Sequence, residues 1–354
     1  MRTLQSASIA VAVIASPCAA QPIQREAPVI YRDFRGVDTF HSISDPPSVH
    51  PDFENRDAYC WNVKNQAPAF ICGLNIGPQV DPGIVEIDLG VDSKPVYLGS
   101  TMNTTTGGAN FASWYNDDAN FNTTINDTLI LTDDGTGTFV FSTNAFFPID
   151  NRGFGNTQQA FTNLWECAFD YLCFSGVSTV AVSPNPHNWH FTMELHTQFT
   201  YQGGEVFNYT GDDDLWVFID GKLVVDIGGV HNPLSAAISL DALTDTSGTP
   251  IPLVAGNNYD FDLFFAERHH NESNFTMTTS ILIGEERCVG DVDGGGNVNV
   301  SDLLVLLADW GACPAPCTAG TANAPDTCPA DFNRDCGINV TDLLALLAAW
   351  GACP

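Results

Sequence analysis

Three adjacent aspartates, Asp212, Asp213 and Asp214, stand between an aromatic stretch, Phe207–Gly211, and an unbroken apolar run, Leu215–Ile219. Neighbouring carboxylates repel one another unless water or a cation intervenes, so the triplet is a candidate site for calcium, a hard, oxygen-seeking ion. A solvated acidic loop would show the same residues. Further along, carboxylates and amides recur at calcium-loop spacing, with Asp331, Asn333 and Asp335 at loop positions one, three and five, Asn339 at nine and Asp342 at twelve. The counterpart 40 residues earlier offers Asp291, Asp293, Asn299 and Asp302, with Gly295 at position five. A tight loop wraps such oxygens around a cation from alternate positions.

Other candidate chemistry is weaker. His187, His190 and His196 cluster along one expected strand, and His269 and His270 are adjacent. No helix-borne zinc spacing accompanies them, so structural or surface roles are expected. Trp114, Trp189 and Trp216 could stack on sugars, but in strand-like runs tryptophan more often packs in a core. There is no nucleophile elbow, phosphate-binding loop or Cys–His pair. No enzyme is expected, although two carboxylates suffice for a glycosidase and 42 acidic residues offer many pairs.

The elements that must position these groups are strands. Thr128–Thr132, Gly137–Phe141, Trp189–Met193, Leu215–Ile219 and Tyr259–Phe265 are β-branched or aromatic, separated by Gly, Asn, Asp and Pro. This pattern predicts an all-β sandwich or barrel, with a helical period only around Asn156–Trp165. Asp220-Gly221 predicts a tight hairpin turn between Leu215–Ile219 and Leu223–Ile227. After residue 286 the texture changes to a repeat, Cys288–Pro314 against Cys328–Pro354, joined by a Pro/Ala/Thr-rich linker. In each unit Leu303, Leu304, Leu306, Leu307 and Trp310, or Leu343, Leu344, Leu346, Leu347 and Trp350, predict an amphipathic helix starting at Val300 or Val340. Expected boundaries are therefore 1–20, 21–286 and 287–354.

The C-terminal repeats resemble type I dockerin modules, whose paired EF-hand-like calcium loops plug into cohesin domains. The resemblance implies a cohesin-like partner and extracellular anchoring. Cys336, where such loops carry a turn glycine, departs from the pattern. Residues 28–284 resemble the protective-antigen-type β-sandwich of toxins and yeast flocculins, and more narrowly the bacterial fibro-slime group. The likeness rests on Phe207–His231 together with Tyr31–Phe34, His50–Glu54, Phe111–Tyr115, Phe146–Ile149, Phe191–His196, Phe264–His269 and Ser273–Phe275. It implies that Asp212 and Asp213 hold calcium. A second loop would complete a glycan or polysaccharide site, with Glu267, His269, His270 and Asn271 beside Asp214 as ligand-facing residues. The histidines depart from the flocculin loop.

Residues 1–20 carry Arg2, a short apolar core and Pro-Cys-Ala-Ala before Gln21, predicting a cleaved export signal, with lipidation at Cys18 the alternative. Removing Cys18 leaves an even number of the 11 cysteines, and no CxxC pair occurs, favouring disulfides. Repeat symmetry suggests Cys288–Cys313, Cys328–Cys353 and Cys317–Cys336. A net charge of −30 with 12 Lys plus Arg disfavours nucleic acid and anionic membranes. No segment is apolar and long enough for a membrane helix. Asn103, Asn122, Asn126, Asn208, Asn271 and Asn274 lie in glycosylation sequons, relevant only in a eukaryotic host. The expectation is a secreted or cell-surface, calcium-dependent carbohydrate-binding or adhesion protein. The rivals are a secreted glycoside hydrolase and a matrix protein without sugar binding.

Overall fold

The structure is a computed structural model that describes residues 23–36, 50–53, 80–102, 104–156, 187–269, 272–286, 290–293, 297–314, 328–333 and 335–353. The export signal, Cys60, Cys72, Cys167, Cys173 and nearly all of the expected helical stretch at 156–165 lie outside them. The chain divides into two compact units, Ile23–Arg287, and Cys288–Cys317 with Asp326–Pro354.

The larger unit is built on β1 (Gln24–Phe34), β2 (Asn122–Asp133), β3 (Phe139–Thr143), β4 (Phe191–Thr200), β5 (Val206–Gly211), β6 (Asp214–Ile219), β7 (Lys222–Ile227), β8 (Leu234–Ser239), β9 (Asn258–Glu267), β10 (Phe275–Thr279) and β11 (Glu285–Glu286). These pair in the order β7-β6-β9-β4-β1-β2-β3-β10-β5-β8, with β11 against β1. The order alone does not make a sandwich, but the side chains do. Phe265 on β9 and Phe275 on β10 have ring centroids 5.4 Å apart, although their strands are five places apart in the ladder. A flat sheet would separate them by about 24 Å. The sheet therefore folds over at β2–β3, where pairing shrinks to Thr132 with Val140 and Asp133 with Phe139. The enclosed core contains Tyr31, Phe191, Met193, Phe207, Phe261 and Phe265.

On the second half β5 alternates exposed and buried residues, as a strand with one solvated face must. By contrast β6 is buried at every position. Its outer face is covered by residues from the 50–53 and 80–121 regions, where Phe53, Ile84, Phe111, Trp114 and Tyr115 pack on Trp216, Phe218 and Phe264. Trp114 and Trp216 are fully buried and Trp189 nearly so, which makes all three core residues. The predicted hairpin is present: Ile219 pairs with Lys222, and Asp220 and Gly221 take φ of 51° and 72°. Both central residues of such a turn need positive φ, which Asp tolerates and Gly adopts without strain.

The smaller unit contains two loop–helix segments, with α2 (Val300–Ala308) and α3 (Val340–Ala348) preceded by a short α1 (Gly108–Phe111) in the larger unit. Two short ribbons cross between the repeats. The first pairs β12 (Asn297–Val298) with β15 (Gly351–Ala352), and the second pairs β13 (Gly311–Ala312) with β14 (Gly337–Ile338). Val298, Leu306, Ile338 and Leu346 form the shared core. This crossing corrects the expected disulfides: Cys313 bonds Cys328 of the other repeat, with Cα atoms 5.6 Å apart, so neither Cys288–Cys313 nor Cys328–Cys353 forms. The ribbon carries the end of one repeat to the other, and sequence spacing within a repeat cannot show that.

Polar groups on the outer face of β1, β4 and β9 form one network. Arg32 contacts Glu194 at 2.9 Å, and Lys94 also binds Glu194. His196 reaches Asp262 at 2.6 Å and Glu194 at 3.4 Å. Burial opposes the His196 charge, but Asp262 and Glu194 outweigh it and raise its pKa to about 9. Burial likewise opposes the Glu194 charge, yet His196, Arg32 and Lys94 hold it down to about 2. A raised histidine stabilises the fold fully below its unfolded pKa and loses that contribution as pH rises through the folded value. The melting temperature should therefore fall between pH 6.5 and 9 in a His196-dependent way, and His196→Gln should flatten that limb in a thermal-shift series. An unchanged slope in the variant would assign the loss to other groups.

Candidate functional site

The aspartate triplet lies at the end of the sandwich where four strands finish or begin. Register places Asp33 of β1 opposite Phe191 of β4, Phe191 opposite Glu267 of β9, and Ala266 opposite Asp214 of β6. Alternation along β9 sends Phe265 and Glu267 into the core-facing file, so a carboxylate follows a phenylalanine inward. Asp213 takes φ of 51°, a left-handed conformation that splays the three side chains apart. Asp212 accepts from the Asn274 amide at 2.6 Å and from Asn274 Nδ2 at 3.0 Å. Asp213 Oδ2 accepts from the amides of Arg268 at 2.8 Å and His269 at 3.1 Å.

Asp214 is different. Arg268 grips it through Nε at 2.5 Å and Nη2 at 3.1 Å, and the Gly229 amide donates to it at 2.6 Å. Burial raises the Asp214 pKa despite Arg268, while Arg268 is raised by Asp214 in spite of its own burial. Those shifts disagree about the pair, and the bidentate geometry with a third donor decides for an ionised carboxylate. Expected to face ligand, Asp214 is instead fully buried with both oxygens engaged. The same guanidinium donates to Thr104 O at 2.6 Å and lies 4.8 Å over Trp114.

Glu267 carries the clearest electrostatic signal. It is fully buried, and neither carboxylate oxygen has a hydrogen-bond partner among the described residues. Burial first, then Asp213 and Asp212, push its carboxyl well above the usual range; the nearby Ser273 hydroxyl and His269 amide oppose this only weakly, because they donate to Phe146 O and Asp213 instead. Burial also raises Asp213 well above the usual range, followed by opposing influence from Arg268 and further elevation by Asp214 and Asp212. Asp212 is raised chiefly by burial. Four buried carboxylates thus face one guanidinium, which Asp214 already occupies.

Glu267 and His269 lie beside Asp213, and His270 and Asn271 lie outside the described residues. The sequence did not assign Arg268, Asn274 or Thr104 to the site, although Asn274 stands out as a sequon. The signal available was one basic residue in an otherwise acidic and histidine-rich turn. Among the described residues, His187 bonds Asp150 at 2.7 Å and stacks on Phe147, and His190 is fully buried.

In the smaller unit, one oxygen each from Asp291, Asp293 and Asp302 lie within 4.8 Å of one another. Asp302 is buried because it also closes the α2 capping box, taking the Asn299 amide at 2.8 Å and the Val292 amide at 2.8 Å. Asp342 repeats this arrangement with Asn339 at 2.9 Å and Phe332 at 2.8 Å. The side-chain oxygens of Asn299 and Asn339 are used as helix caps, accepting from Ser301 and Thr341. In the second loop Asp331 accepts from Asp335 and Cys336, and Asn333 Nδ2 donates to Asp335. Cys336 takes φ of 70°, the conformation a turn glycine would supply, and is disulfide-bonded.

A sequence model of the PA14 domain matches residues 177–287. Among curated relatives, protein psiQ of Dictyostelium discoideum is 33% identical over 265 residues, covering 68% of this chain and 25% of its own length. Protein psiD of the same organism is 35% identical over 211 residues, covering 56% of this chain and 36% of its own. The chain thus spans about a quarter to a third of these relatives. The A domain of epithelial adhesin 9 from Candida glabrata, solved in complex with Galb1-4GlcNAc, is 10% identical over 75% of this chain and 94% of its own. Its TM-score is 0.25, too low for a shared fold to be read from it.

The electrostatics separate the aspartates by experiment. Asp214→Asn leaves the buried Arg268 without its counter-ion and should lower stability by about 3–5 kcal/mol in urea unfolding. Asp213→Asn, measured in chelator at neutral pH, should leave stability unchanged or raise it by relieving repulsion. Equal losses in the two variants would contradict this division.

Proposed function

We propose that the chain is a secreted or surface, calcium-dependent carbohydrate-binding or adhesion protein. The observation that carries the reading is Glu267, a fully buried carboxylate with two unpartnered oxygens beside Asp212 and Asp213. Buried charge of one sign must protonate or meet a cation, and an oxygen-only donor set suits a hard cation. Asp212, Asp213 and Glu267 would hold calcium, with His269 beside them facing the ligand. Bound calcium supplies open coordination positions that accept vicinal sugar hydroxyls. Asp214 is excluded from ligand contact and serves Arg268. The match of residues 177–287 to a PA14 domain supports a recognition role. Among the described residues no helix is long and apolar enough to cross a membrane.

The smaller unit is read as a dockerin-like, EF-hand-like pair of calcium loops that anchors the chain to a cohesin-like partner. Asp291, Asp293 and Asp302, with Asn299 reaching the ion through water, would serve the first loop. Asp331, Asn333, Asp335 and Asp342, with Asn339 in the same water-linked role, would serve the second. The exposed Leu304, Leu307 and Trp310, mirrored by Leu344, Leu347 and Trp350, are the faces such a partner would cover.

Calorimetry of the full chain should show calcium binding, and Asp213→Asn should remove one event while leaving the loop events. A glycan array read in calcium and in chelator then separates the alternatives. Calcium-dependent signals lost in Asp213→Asn support the lectin reading, binding without calcium dependence refutes it, and reducing-sugar release from polysaccharides would establish the glycosidase instead. For the smaller unit, Asp302→Ala and Asp342→Ala should each abolish a separate calcium event. If neither does, the loops are structural turns.

A further inference from the structure

We infer that Arg268 couples the Asp212–Asp213 site to the neighbouring residues 99–102 and 104–107, making that loop part of the recognition rim. The inference rests on the ion reading above and assigns it a positioning residue and a moving part. Arg268 is 1% exposed, so each of its donors needs a partner. Its amide donates to Asp213, its Nε and Nη2 hold Asp214, and its Nη1 donates to Thr104 O at 2.6 Å. One side chain therefore joins the carboxylate cluster to a loop more than 160 positions away in sequence, as the separation of 164 between the bonded residues shows.

The loop's other attachments are polar and converge on two carboxylates. Asp81 accepts from Ser100, from the Thr101 amide and hydroxyl at 3.0 Å, from the Met102 amide at 3.2 Å, and from Thr104 Oγ1 at 2.7 Å. Asp52 accepts from the Thr106 amide and hydroxyl, both at 2.6 Å, and from Trp114 Nε1 at 3.1 Å. Asp81 is itself fixed to the site's flank, because its amide donates to Gly228 O at 2.6 Å, next to the Gly229 that holds Asp214. Meanwhile Leu98 and Met102 are 58% and 40% exposed, presenting apolar surface from an otherwise polar-anchored loop. The guanidinium is held by Asp214 and Thr104 while the backbone amide of the same residue donates to Asp213, so both ends of the coupling pass through Arg268. A cation on Asp213 fixes that amide and, with it, the side chain that holds the loop. By thermodynamic reciprocity, loosening the loop must weaken the ion.

Amide hydrogen exchange of the full chain, with and without calcium, reads both ends at once. In the wild type, calcium should slow exchange in 205–216 and also in 99–106. Arg268→Lys should keep protection at 205–216 and lose it at 99–106. Asp81→Asn, which alters the loop anchor and leaves the carboxylate cluster intact, should raise by about five-fold or more the calcium concentration needed to protect 205–216. If calcium protects 205–216 but never 99–106, or if Asp81→Asn leaves the calcium requirement unchanged, the coupling is wrong and the ion reading survives. If calcium protects neither segment of the wild type, both fall. Should Arg268→Lys fail to fold, the Asp81→Asn arm alone decides.

Discussion

A guanidinium packed over the ring of Trp114 and locked to Asp214 sits among four buried carboxylates at one end of the sandwich. Charges are tolerated in such a place only when paired and hydrogen-bonded, because the desolvation of each costs several kcal/mol. Arg268 meets that condition through Asp214 and Thr104. Asp213 meets it in part through two backbone amides, and Glu267 has no hydrogen-bond partner among the described residues. This imbalance is what gives the end of the sandwich a chemical demand, and the rest of the larger unit is arranged to keep it dry.

That arrangement begins with the aromatic cap on the outer face of β6 and β9. Trp114, Phe111, Phe53 and Tyr115 exclude water from one side of the strands that deliver Asp214 and Glu267. The folded-over half of the sheet does so from the other side, through Phe275 and Phe207. Asp52 ties the cap together by accepting from Trp114 and Thr106, and Asp81 ties the next loop to the flank of the site. Polar side chains thus do structural work around the cluster, and their carboxylates are saturated by short-range donors. Glu267 differs from these acids, because neither of its oxygens has a hydrogen-bond partner among the described residues.

The smaller unit solves a different problem. Two short repeats cannot each bury a core, so their ribbons exchange partners and their helices share Leu306 and Leu346. The buried Asp302 and Asp342 serve double duty, closing helix caps while turning their carboxylates toward the loops. A disulfide from Cys313 to Cys328 fastens the exchange.

Much of this was legible in the residues. Period-two runs announced the strands, since alternation reports which face is buried, and Asp220-Gly221 announced its hairpin because few pairs accept two positive φ values. The triplet of aspartates and the doubled loop spacing also stood out, as did the start of each C-terminal helix, because local hydrogen bonds and short-range repulsion depend on near neighbours. What required the folded chain was everything that joins distant segments. Nothing in the sequence distinguishes Asp214 from Asp213, yet a 54-residue loop closure hands one of them to Arg268 and leaves the other for the cluster. Glu267 acquires its character only from the burial that strands β4, β6 and β9 impose. Cys313 pairs with Cys328 across the repeats because β13 and β14 cross, which spacing within one repeat cannot reveal. Short-range chemistry is written in neighbours, whereas desolvation and ion pairing are set by whatever the fold brings alongside.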